Sequence, residues 1–127
     1  QHVLEPLAGY LTLAESLFTD HTLQGAWNFG PALSDCVSVE AVADQLATHW
    51  PQPANWQSIE SNIPHEAGLL ILDSTQAREK LKWRPRWPLS EALRRTVDWQ
   101  QAWLNKQDMQ AFSKQQIDGY AQVPATN

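Results

Sequence analysis

Apolar residues recur at intervals of three and four along the first stretch of the chain. Leu7, Tyr10, Leu11, Ala14, Leu17 and Phe18 fall on one face of a helix expected over residues 4–18. Pro6 suits its first turn, where a missing N–H costs nothing, and Glu5 suits the positive end of the helix dipole. After a loop with Asp20, His21 and Gly25, residues 26–29 read as a short strand closed by Gly30 and Pro31. Ser38 is placed to cap a second helix, with Val39, Val42, Ala43, Leu46 and Trp50 on its inner face. Pro51 and Pro53 end it. Residues 56–59 suggest a short strand, and the unbroken apolar run at 69–72 a strand buried on both sides.

Asp73, with Gln76 three positions on, has the pattern of a capping box for a short helix to about residue 81. Pro85 and Pro88 keep residues 83–87 extended. A long helix follows over 89–106, with Leu89, Ala92, Leu93, Thr96, Trp99, Gln100 and Trp103 along one stripe. Residues 108–120 form a last helix and 123–127 fray. Two or three short strands among so many helices make a poor independent sheet, so the first helix and the Trp27 strand need a larger sheet to pack against. The chain opens on Gln1 rather than Met, and the pattern is that of a piece of a longer α/β protein.

Length and composition narrow the function. At 127 residues the chain is one domain or one large part of a domain, and its 43% hydrophobic content supports a core. A net charge of -5 argues against a phosphate-backbone-binding surface, so no nucleic-acid partner is expected. No apolar run approaches a membrane span, and no signal peptide is visible, so no membrane partner and a cytoplasmic location are expected. Cys36 is the single cysteine, which excludes an internal disulfide, and a plain small thiol is favoured over a nucleophile. Seven tryptophans serve either as core anchors or as sugar-stacking platforms, with the anchor reading preferred.

No complete active site is encoded. The five glycines are too scattered for a dinucleotide fingerprint or a phosphate loop. Neither Tyr10 nor Tyr120 has a lysine four residues later, and His2, His21, His49 and His65 fall on different elements at spacings that suggest no metal cluster. No catalytic or metal-binding residue is therefore expected. The run Trp83-Arg84-Pro85-Arg86-Trp87 mixes cations and aromatics, and we assign it to stacking within the fold rather than to a nucleic-acid surface.

An ordered set of motifs carries a family resemblance. Gln1-His2-Val3-Leu4-Glu5-Pro6-Leu7 is followed by Gly9-Tyr10, Leu13-Ala14-Glu15, Ala26-Trp27-Asn28-Phe29-Gly30-Pro31 and Val37-Ser38. Then come His65-Glu66-Ala67, Leu70, Leu72-Asp73, Ala77, Leu81, Trp83, Pro85 and Arg86-Trp87. Leu93, Thr96-Val97, Trp99, Ala102-Trp103-Leu104 and Asp108-Met109 complete it. Together they resemble the C-terminal third of the CDP-glucose 4,6-dehydratases, members of the extended short-chain dehydrogenase/reductase superfamily.

The resemblance implies an α/β fold: the last elements of a Rossmann half (residues 1–31), a small, mainly helical nucleotide-sugar-binding domain (32–106) and a helical tail (107–127). It implies NAD as cofactor of the parent enzyme, held by a Rossmann half missing from this chain, with the isolated chain binding none and inactive alone. It further implies a CDP-sugar substrate and a homo-oligomeric full-length enzyme. Glu66 matches a family glutamate that contacts the nucleotide ribose, and His65 is its neighbour with a possible phosphate or base contact. Gln1, His2 and Glu5 match the stretch where the family's chain enters the substrate cleft.

Two departures stand out: Lys82 where glycine is usual, and Gly68 where a bulkier residue is usual. Two other readings remain open, a stand-alone nucleotide- or carbohydrate-binding module and a scaffold that presents the 89–103 helix to a partner.

Overall fold

A computed structural model of the chain describes residues 1–57 and 71–125. Among these residues there are five α-helices: α1 (Leu4–Thr19), α2 (Val39–His49), α3 (Thr75–Lys80), α4 (Leu89–Leu104) and α5 (Met109–Gln122). Two 3-10 turns, His21–Leu23 and Leu33–Asp35, interrupt the link from α1 to α2. α4 is the hub, packed on α2 and on α5, while α1 folds back against the first 3-10 turn.

Local chemistry accounts for most of the boundaries. Ser38 caps α2 as expected, its Oγ accepting from Ala41 N at 3.2 Å. Asp108 caps α5, with Oδ1 accepting from Gln110 N and Ala111 N at 3.0 and 3.1 Å. At α3 the expected capping box is not used. Ser74 is the N-cap residue, and Asp73 Oδ1 instead accepts from Thr75 N at 2.8 Å. The Ser74 hydroxyl is spent on a distant donor, Gly30 N, at 2.7 Å.

Two helix ends turn through the left-handed region without glycine. Lys82 and Lys106 both have φ +55°. At the second, Lys106 N donates to Trp103 O and Gln107 N to Ala102 O, both 3.0 Å, closing α4 in a Schellman arrangement. At the first, Leu81 N and Trp83 N both donate to Ala77 O, at 3.1 and 3.2 Å. Lys82 therefore takes the conformation of the glycine that the resemblance led us to expect.

Among the described residues there is no strand, which corrects the expectation of one at 26–29. The physical reason is that a strand needs a ladder partner, and this segment is held by side chains instead. Gln1 Nε2 donates to Phe29 O at 2.8 Å, Asn28 Nδ2 to Asp73 O at 3.1 Å, and Gly30 N to Ser74 Oγ. Residues 56–57 and 71–72 likewise lack strand pairing; the remainder of both expected strands lies outside the described residues. The described part is thus all helix and loop.

The core joins residues from both sides of position 31. Phe29, Ala77, Leu81 and Trp83 are buried together, with Leu13, Leu23 and Trp27 packed around them. The Phe29 ring meets Tyr10 and Trp83 edge-on at 5.4 and 5.1 Å. α1 comes so close to this ring that a Cβ on Gly9 would sit 2.3 Å from a ring carbon.

Two expected faces are corrected. On α2, Val39 is 85% exposed and lies off the inner face, because it occupies the first, unpacked turn. On α4, Ala92, Leu93, Val97 and Ala102 are buried, whereas Thr96, Trp99 and Trp103 are exposed. Small residues let the neighbouring helices approach closely, so the contact runs beside the tryptophans rather than over them. The α1 stripe also lies in solvent: Leu11 is 72% and Phe18 87% exposed, and Val3, Leu7 and Tyr10 are exposed with them.

Candidate functional site

Three of the five expected site residues meet at the start of α1. The chain arrives there with Gln1 tied to Phe29 O, and His2 folds back so that its Nδ1 accepts from Leu4 N at 3.2 Å. That bond fixes the neutral tautomer with the proton on Nε2. Burial lowers the His2 pKa below its ordinary value of 6.5, with the nearby Glu5 carboxylate opposing the shift.

Glu5 is completely buried, one turn into a helix whose outer face is wet. A carboxylate there needs donors on both oxygens. It has them: Arg86 N at 3.0 and 3.1 Å, Trp87 N at 2.8 Å, and Tyr120 O–H at 2.7 Å. Burial, then the hydrogen bond to Glu5, hold the Tyr120 phenol well above its ordinary pKa of 10.0.

Aromatic and cationic groups close around this carboxylate. Trp87 meets the His2 ring edge-on at 4.9 Å and the Tyr120 ring edge-on at 5.0 Å. Arg95 lies 5.2 Å from the Trp87 ring centre, and its Nε donates to Glu91 Oε1 at 2.7 Å. Arg86 lies 5.0 Å from the Tyr120 ring centre, and its Nη1 donates to Tyr120 O and Ala121 O, holding the end of α5. The Trp83–Trp87 run therefore stacks within the fold, as its composition suggested.

Clefts open on either side of α4. One, of about 510 Å³, runs between the start of α1, α4 and α5 and is lined by His2, Val3, Trp99, Gln100, Ser113 and Gln116, among others. A second, of about 350 Å³, has Trp50 and Trp56 on its walls together with Leu46 and Val97. A third, of about 330 Å³, collects Ser34, Asp35, Arg78 and Arg84. Trp83 and Trp87 are buried anchors, whereas Trp56, Trp99 and Trp103 keep exposed edges.

His65 and Glu66 lie outside the described residues. Sequence reasoning placed Gln1, His2 and Glu5 at one site but missed Arg86, Trp87 and Tyr120 as their surroundings. The only local signal was the unusual density of aromatics and arginines at 83–87. Among the described residues no three His, Cys, Asp or Glu side chains gather as a metal site. Among the described residues the glycines form no cradle for a dinucleotide: Gly9 is pressed on Phe29, and Gly30 abuts Leu72 and Ser74. Among the described residues no helix is long and apolar enough to cross a membrane.

Over 121 residues, 94% of its length, the chain is 44% identical to the CDP-glucose 4,6-dehydratase of Salmonella typhimurium. It spans about a third of that enzyme, 34% of its length. No protein-family model matches the chain.

Proposed function

We propose that this chain is the C-terminal, substrate-binding part of an NAD-dependent CDP-glucose 4,6-dehydratase, a lyase that converts CDP-glucose to CDP-4-keto-6-deoxyglucose and water in deoxysugar biosynthesis. The observation that carries the reading is the 44% identity across nearly the whole chain to an enzyme about three times as long. The wet apolar stripe of α1 supports it, because a face of Val3, Leu7, Leu11 and Phe18 suits the inner surface of a larger fold. In this reading residues 1–31 complete the Rossmann half, 32–106 bind the nucleotide sugar, and 107–127 brace them.

NAD does not fit the described residues, among which no glycine-rich turn leads into a helix; its site belongs to the remainder of the enzyme. The chain's own part is binding and orientation. Glu66 accepts hydrogen bonds from ribose hydroxyls, and His65 contacts phosphate or base. His2 offers Nε2–H from the wall of its cleft, and Gln1 holds the approach to it. The complete enzyme is a cytoplasmic homo-oligomer, and the isolated chain is inactive.

A chimera tests this. The chain replaces the matching segment of the Salmonella enzyme, and conversion of CDP-glucose is followed. Conversion within about tenfold of the parent supports the reading. A folded chimera that binds NAD but not CDP-glucose refutes it.

A second reading, a stand-alone carbohydrate- or nucleotide-binding module, draws on the exposed edges of Trp56 and Trp99 beside open clefts. It requires the isolated chain to change its tryptophan emission on titration with CDP, CDP-glucose or oligosaccharides.

A further inference from the structure

Glu5, Tyr120 and Arg86 join the two extremes of the described chain at the back of the candidate site. Glu5 has no oxygen to spare for a sugar hydroxyl, because two backbone N–H groups and a phenol already occupy both. Its effect on a ligand has to pass through what it holds. On the side of the site it holds Trp87, by the 2.8 Å bond from the backbone N–H. The Trp87 ring is the wall against which His2 rests. The same ring is pressed from another side by Tyr120, whose hydroxyl closes the circuit back to Glu5. His2 has one ring nitrogen committed to Leu4 N, so only Nε2–H is left to meet a ligand, and its direction follows from the tilt of the ring against Trp87.

We infer that Glu5 and Tyr120 are positioning residues: through Trp87 they set the direction of the His2 Nε2–H, so the last helix of the chain governs nucleotide-sugar affinity without touching the ligand. This rests on the reading above, in which His2 contacts CDP-glucose. Misdirecting one ligand hydrogen bond from His2 Nε2–H costs about tenfold in affinity. α5 is suited to the role because it is fastened independently of Glu5. Arg86 holds its end, and Gln116 Nε2 donates to Arg95 O at 2.9 Å, so the helix stays docked when one hydroxyl is removed.

The test uses the chimera described above. Tyr120→Phe deletes the hydroxyl while keeping the ring on Trp87; Glu5→Gln is the harsher companion, and if it fails to fold Tyr120→Phe decides. The expected result is a rise of about tenfold in KM for CDP-glucose, with kcat within about twofold and NAD affinity unchanged. In a His2→Ala background Tyr120→Phe then adds less than about twofold, since the group it positions is gone. A folded Tyr120→Phe chimera with unchanged KM overturns the inference while leaving the parent reading intact. So does an effect that multiplies independently with His2→Ala. An unmutated chimera that binds no CDP-glucose overturns the parent reading and this inference together.

Discussion

The same substitution in two helices of this molecule is expected to act with opposite sign. Gly9 in α1 and Gly119 in α5 both sit inside helices, where alanine in place of glycine gains about 1 kcal/mol of propensity. At Gly119 a new Cβ meets nothing within 4 Å, so Gly119→Ala realises that gain, about 0.5–1 kcal/mol. At Gly9 the Cβ lands 2.3, 2.6 and 2.7 Å from three carbons of the Phe29 ring. Relaxed carbon contacts need about 3.5–4 Å, so the ring or the helix has to move by more than about 1 Å.

Neither moves freely. Trp83 and Tyr10 flank the ring edge-on, and Gln1 holds the Phe29 carbonyl at 2.8 Å. Overpacking of this kind costs about 1–3 kcal/mol or more, which outweighs the propensity gain and leaves Gly9→Ala less stable by about 1–2 kcal/mol. The two variants should therefore differ by roughly 2–3 kcal/mol, or about 8–12 °C in Tm for a chain of this size. Urea unfolding followed by far-ultraviolet dichroism, with thermal melts in parallel, measures both. If Gly9→Ala matched or exceeded the parent, the packing of α1 on Phe29 described above would be wrong.

Lys82→Gly should stabilise the chain by about 0.5–1 kcal/mol in the same assay, because glycine takes φ +55° without a Cβ penalty; a loss would mean that the lysine side chain makes a contact worth more than the strain. Stability should fall at both ends of the pH range. His2 has a lowered folded pKa, so the unfolded chain takes up the proton first and stability drops as pH falls below 6.5. Tyr120 has a raised one, so the unfolded chain loses its proton first and stability drops as pH rises above 10.0. Removing each group by His2→Ala or Tyr120→Phe should flatten the corresponding edge of the unfolding profile, and an unchanged edge would exclude that group as its source. Leu11→Lys, in the middle of the wet stripe, should weaken self-association of the isolated chain in sedimentation velocity, while leaving its helicity intact; an unchanged sedimentation profile of an associating chain would place the contact elsewhere.

The helices were legible because their signals are local. α1 spans Leu4–Thr19 against an expected 4–18, Ser38 read as a cap from its residue type, and the last helix, expected over 108–120, spans Met109–Gln122. The strands were not, since a strand is a property of a pair, and residues 26–29 find side-chain partners at Ser74 and Asp73 instead of a ladder. The α4 stripe was misplaced because periodicity weights large residues, while close helix packing here selected Ala92, Val97 and Ala102 over Trp99 and Trp103. Glu5 shows the limit most clearly. In sequence it is an acid near a helix start, suited to the dipole, and its three donor residues lie 81, 82 and 115 positions away. No window along the chain contains both halves of that arrangement.

That separation has a consequence for synthesis. A ribosome adding about 5–20 residues per second makes Tyr120 on the order of ten seconds after Glu5. Until Arg86 and Trp87 are made the Glu5 carboxylate has only water to solvate it, and until Tyr120 follows its set of donors stays incomplete, so α1 cannot settle into its final place as it emerges. The site matures only after this last helix is made, because the phenol that completes the Glu5 donors arrives with it.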